Sequence, residues 1–182
     1  MGFTLQQLSD IEEIRQLKSR YFRCIDTGNH TELATCFADD VTIDYRGGGY
    51  RVQVSGKADM IEFIASSFNS DVVAMHHGHT PEVSFVDADT AKGTWYLEDR
   101  FINPERNEDT VGSALYYDTY VRTAEGWKIR HSEYDRVYEL VSPIGEGTAL
   151  REHMLARTGR QKHERSDTGK WLVWFDEQGE AQ

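Results

Sequence analysis

From position 72 onward the chain carries four strand-like runs in succession, 72–85, 90–102, 112–123 and 127–140. Only the turn material VDAD, NPERNED and AEG parts them. Ordinary strands run about 5–6 residues. Four consecutive runs of roughly a dozen must bend or bulge, because a twisted sheet of that length cannot stay flat. A meander of this kind buries one face, and the residues before it supply the cover. Leu5, Leu8, Ile11, Ile14, Leu17, Tyr21 and Ile25 recur at helical spacing behind a Thr4/Gln7 capping box. Gly28 and Asn29 supply a stop, and residues 30–37 read as a short second helix. VTIDY, the glycines at 47–49 and YRVQV read as a hairpin. Residues 55–69 form a third helix, with Met60, Ile61, Ile64 and Phe68 inward. The expected fold is α+β: a strongly curved, mostly antiparallel sheet closed into a cone by three N-terminal helices, with a ligand pocket inside.

A chain of 182 residues supports one such core and not two. We expect one domain over 1–141 and a C-terminal extension over 142–182. In the extension a loop, a short helix within TALREHMLART and a charged stretch lead to the apolar KWLVWF. That segment is expected to dock on its own domain or a neighbouring subunit. Twenty Lys and Arg against 31 Asp and Glu leave a net charge of −11, which repels nucleic acid and anionic membranes. No run of eighteen apolar residues predicts a membrane span. MGFTLQQLSDIEEI lacks the basic start of a secretion signal, and Gln6 spoils a myristoylation pattern. A soluble cytoplasmic protein is expected. Cys24 and Cys36 have neither metal-ligand nor disulfide-framework spacing, and Cys24 reads as a small buried residue. GxGxxG, Walker and GxSxG patterns are absent, so neither a nucleotide cofactor nor serine-hydrolase chemistry is implied.

Asp99 is the most informative position. In TWYLEDRFI, alternation puts Trp95, Leu97, Asp99 and Phe101 on one face. A carboxylate on an apolar face needs a partner: a structural Arg or backbone donor, or a catalytic histidine. MHHGHT supplies His76, His77 and His79. A His paired with a buried carboxylate is held in one tautomer as a base, and His76–Asp99 is the sharpest such pair. The same residues admit a metal reading, with His77, His79 and Glu82 as ligands and His131 as the only later imidazole in place to join them. Tyr21, on the buried stripe of the first helix, is either a phenol donor to substrate or a core tyrosine. Asp26, Asp44 and Tyr45 lie near expected pocket edges.

IEEIRQLKSRYFRCID, MHHGHTPEVSF, GTWYLEDR and, more weakly, GWKIRHSEYDRVYE resemble the SnoaL-like branch of the NTF2-like superfamily. That branch includes bile acid 7-alpha-dehydratase and scytalone dehydratase. The resemblance implies a cone fold and a cofactor-free lyase, without a metal. It implies catalytic roles for Tyr21, Asp26, His76 and Asp99, and substrate contacts from Tyr45, Arg136 and His79. His76 would take a proton from carbon with support from Asp99, while Tyr21 and Tyr45 donate to the oxygen that gains charge. The expected reaction is dehydration of a hydrophobic cyclic or aromatic hydroxy compound. Its rivals are release of a small aldehyde such as formaldehyde by C–C cleavage, isomerisation, and a non-enzymatic binding module. The expected partners are a small hydrophobic substrate and further copies of the chain, as a dimer or trimer.

Overall fold

The computed structural model describes residues 2–176 and 180–181. Helix α1 (Leu5–Asp26) begins as its sequence requires: the Thr4 hydroxyl accepts the Gln7 N–H at 3.1 Å, and the Gln7 side chain accepts the Thr4 N–H at 3.0 Å. The apolar periodicity starts before the burial does. Leu5 and Leu8 are exposed, and the helix first sinks into the protein at Asp10, which accepts hydrogen bonds from Arg122 and Trp127. Ile14, Leu17, Tyr21 and Ile25 are buried as expected. Gly28 ends the turn at φ +64°, a left-handed conformation that costs glycine little.

Helix α2 (His30–Ala34) stops short of the expected residue 37. Phe37 already belongs to strand β1 (Phe37–Arg46), which the Gly47–Gly49 turn returns as β2 (Tyr50–Ser55). Helix α3 (Lys57–Ser67) buries Met60, Phe63 and Ile64, and leaves Ile61 and Phe68 only partly covered. The meander follows as β3 (Val73–Phe85), β4 (Thr90–Asn103), β5 (Glu108–Thr123) and β6 (Gly126–Pro143). The sheet runs β3-β4-β5-β6-β1-β2 and ends in β7 (Leu172–Trp174), antiparallel except where β1 lies parallel to β6. Register breaks at His79/Glu82, Ser113/Ala114 and Thr119/Tyr120 are the bulges that let such long strands curve. The fold is α+β with an unclosed curved sheet.

The last forty residues return to this core. Short helix α4 (Leu155–Thr158) buries Leu155 with Val72 and Ala74. Strand β7 (Leu172–Trp174) pairs with β2, and Trp171 packs edge-on against Phe63 at 5.9 Å. Arg160 and Ser166 bond Glu62 of α3, and with Arg160 the chief cause they hold its carboxyl down at about 2. KWLVWF therefore docks on its own chain. Aromatic side chains fill much of the space under the helices: Tyr21, Trp95, Tyr116 and Tyr120 are all at most 4% exposed.

Candidate active site

Asp26 is the last residue of α1, and the turn through Gly28 leaves its carboxylate beside the edge strand β3. An edge strand has N–H groups without a sheet partner. Asp26 Oδ2 accepts that of His76 at 2.9 Å, and Oδ1 meets the His76 Nδ1 at 2.6 Å. Two contacts from one carboxylate fix both the backbone and the ring. A carboxylate accepts at this position, so in the neutral ring the proton sits on Nδ1 and Nε2 keeps its lone pair. Phe22 stacks on the imidazole at 6.0 Å and 7°, and Phe68 meets it edge-on at 5.3 Å. Gly78 permits this slot, since a Cβ there would lie 2.4 Å from the Phe22 ring. The His76 side chain is 9% exposed and that of Asp26 22%. Both border an open groove of about 530 Å³ between α1 and β3.

The expected His76–Asp99 ion pair is not formed. The two residues are direct cross-strand partners on one face of the sheet, which puts their Cβ atoms roughly 4.5–5.5 Å apart. The partner of Asp99 is instead Arg136 of β6, whose Nη1 donates to it at 2.6 Å. Sequence spacing gave no measure of whether Asp26 or Asp99 would reach the ring, because Asp26 arrives from 50 residues away through the end of a helix. Arg136 also contacts Glu139 at 2.9 Å, and its guanidinium lies 5.5 Å from the Tyr134 ring. Burial acts against the Arg136 cation, but the bond to Asp99 overcomes it and raises the pKa. Gly112 of β5 makes room: a Cβ would meet Arg136 Nη1 at 2.7 Å and Asp99 Oδ1 at 3.0 Å. His76, Asp99 and Arg136 thus form a polar patch on the inner sheet face.

Tyr21 and Tyr45 come together inside the core. Their hydroxyls are 2.9 Å apart, Tyr45 donates to Ser132 at 3.3 Å, and Ser132 donates to Asp118 at 2.6 Å. Asp118 is also held by Tyr120 at 2.6 Å and by the fully buried Lys18 at 2.7 Å. The Lys18 ammonium lies 3.6 Å from the centre of the Tyr116 ring. Burial pushes the Lys18 pKa down, against the opposing pull of Asp118, and pushes the Tyr21 and Tyr45 phenols well up. Direction follows along the chain. An ionised Asp118 only accepts, so Ser132 donates to it, Tyr45 donates to Ser132, and Tyr21 donates to Tyr45. The Tyr21 proton is thereby spent inside the core. Lys18, Asp118 and Ser132 were missed from the sequence. The signal for Lys18 was its place on the α1 stripe, four residues after Ile14. For Asp118 it was the alternation Ala114, Tyr116, Asp118, Tyr120.

On the outer face, His77 and His79 lie exposed beside Glu98, with ligand atoms all within 4.8 Å of one another. The carboxylate of this group is not the expected Glu82, which the bulge after His79 carries opposite Thr94. His131 bonds Thr42 at 2.7 Å, two strands from the edge pair β3–β4. His79, expected on the substrate side, borders the same groove as Asp26 and His76, with its ring bonded to Glu98 at 3.3 Å. Asp44 is taken up by Arg46 and Arg51. Cys24 is fully buried, and burial pushes its thiol up to about 12, which fits packing and not nucleophilic chemistry.

The model of the SnoaL-like domain matches residues 6–133. The chain belongs to this family. An uncharacterized protein of Mycobacterium tuberculosis (strain ATCC 25618 / H37Rv) is 28% identical over 127 residues, 69% of this SnoaL-like chain and 84% of the other. Among solved structures, a candidate scytalone dehydratase from Novosphingobium aromaticivorans superposes with a TM-score of 0.67 at 16% identity, over 80% of this chain and 96% of that one. A hexachlorocyclohexane dehydrochlorinase from Novosphingobium barchaimii gives 0.67 at 20% identity, over 81% and 99%. These likenesses establish the NTF2-like fold. Among the described residues, no helix of this SnoaL-like protein is long and apolar enough to cross a membrane.

Proposed function

We propose that the protein is a cofactor-independent lyase that eliminates water from a hydrophobic cyclic or aromatic hydroxy compound bearing a carbonyl or phenol. The observation that carries this reading is the Asp26–His76 dyad, in which both Nδ1 and the backbone N–H are held by one carboxylate. Nε2 is left as the proton acceptor. In the proposed step Nε2 takes the proton from the carbon beside the carbonyl. The freed electron pair forms the C=C bond as the C–O bond to the hydroxyl breaks. The imidazolium then passes the proton to the departing hydroxide, which leaves as water.

Arg136, steadied by Asp99, is the group we assign to the oxygen on which negative charge develops. Tyr21 and Tyr45 direct their protons toward Asp118 inside the core and are given no part in the step. General base catalysis contributes about 10²–10⁴-fold and a cation at the developing oxyanion roughly 10²–10³-fold. The two solved structures reported above carry names of eliminations, loss of water in one and of hydrogen chloride in the other, while a third similar structure is named for aromatic ring hydroxylation. That favours elimination over C–C cleavage and isomerisation.

The test is a mass-spectrometric turnover screen of EDTA-treated protein against hydroxy-steroids, hydroxylated polyketides and lignin-type aromatic diols. Loss of water from one class is the expected result. Loss of formaldehyde would replace the reaction with C–C cleavage. Recovery of every compound unchanged would contradict the catalytic reading in favour of a binding module.

A further inference from the structure

We infer that the outer face of β3 and β4 carries a binding site for a divalent first-row transition metal, formed by His77, His79 and Glu98. Residues two apart on a strand share a face, so His77 and His79 project together, with ring centres 6.1 Å apart. Glu98 is the direct cross-strand partner of His77. The three ligand atoms lie within 4.8 Å of one another. A tetrahedral ion takes His nitrogen at about 2.0–2.1 Å and carboxylate oxygen at about 2.0–2.2 Å. The remaining approach is small for side chains as free as these, since those of His79 and Glu98 are 50% and 57% exposed.

Two imidazoles and one carboxylate form a borderline donor set that suits Zn²⁺, Co²⁺, Ni²⁺ or Cu²⁺, whereas Mg²⁺ and Ca²⁺ prefer all-oxygen sites. Three protein ligands leave a coordination position open to water. The bulge after His79 supports the geometry. Thr80 holds φ +38° there, an unusual conformation for a β-branched residue, and the strand resumes its pairing only at Glu82. The dyad uses His76 on the inner face, while His77 and His79 border the same groove from the outer face, so the ion sits beside the dyad and takes no part in the proposed step. It joins the edge strand to β4 at the position that presents His76. Metal there acts as a clip across β3 and β4.

The test uses the untagged full chain, stripped with EDTA and dialysed, and titrated calorimetrically with Zn²⁺, with Mg²⁺ as a control. One equivalent of Zn²⁺ should bind per chain and Mg²⁺ should not. Zn²⁺ should also raise the melting temperature, because an ion bound only by the folded state stabilises it. His79→Ala and Glu98→Gln, both at exposed positions, should each weaken Zn²⁺ binding by more than about tenfold and abolish the thermal shift. His131→Ala should leave both unchanged. Absence of Zn²⁺ binding to the wild type would overturn the proposal, as would wild-type affinity in both His79→Ala and Glu98→Gln.

Discussion

At the scale of single residues, the two carboxylates that matter were both visible in the sequence, but their partners were not. Asp99 stood out because it interrupts an apolar face, and it is indeed buried. That it answers to Arg136 and not to His76 depends on where two strands and a helix end converge, which periodicity along one segment does not encode. Lys18 shows the opposite failure. It sits on the buried stripe of α1, yet a lysine at such a place reads as a break in the stripe and not as part of the core. In the structure its ammonium is fully enclosed by Asp118 and aromatic rings. Removing one member of a buried ion pair strands the other charge, at a cost of about 3–5 kcal/mol. Asp118→Asn and Lys18→Met should each lose stability on that scale in urea unfolding. A loss below about 1 kcal/mol, the range of exposed pairs, would contradict the enclosed pair.

Among elements, the long strands were legible because alternation persists through a bulge even when register does not. All four expected runs became β3–β6, and β5 and β6 each extend past the expected limits. Helix ends were less legible. Leu5 and Leu8 continue the α1 pattern where no sheet covers them, and α2 gives way early because Phe37 is recruited to pair beside Ile129. The tail's own sequence shows an apolar segment in need of a surface, and its seat on β2 and α3 rests on long-range contacts invisible in that sequence. The ion pair of Arg160 with Glu62 makes that seat acid-sensitive. The Glu62 carboxyl falls from an ordinary 4.5 to about 2 on folding, so its stabilisation is complete above about pH 4.5 and is lost as pH falls toward 2. The stability gap between the wild type and Glu62→Gln should therefore be constant above pH 4.5 and close below it. A gap that ignores pH would show that the pair does not anchor the tail.

For the whole molecule, the α+β cone and its family were legible from motifs spread from the first helix to the last strand. The state of its interior was not. Much of it is packed with tyrosines and tryptophan, and the dyad lies in a groove at the α1–β3 edge. The measurement that bears most directly on this account is steady-state turnover by His76→Ala and Asp26→Asn, beside the wild type, on whichever compound the screen identifies. Both proteins should stay folded by circular dichroism. His76→Ala should lose about 10²–10⁴-fold in kcat, and Asp26→Asn should fall in the same direction, because its amide no longer fixes the Nδ1 proton. Near-wild-type turnover in folded His76→Ala would contradict the assignment of His76 as the base.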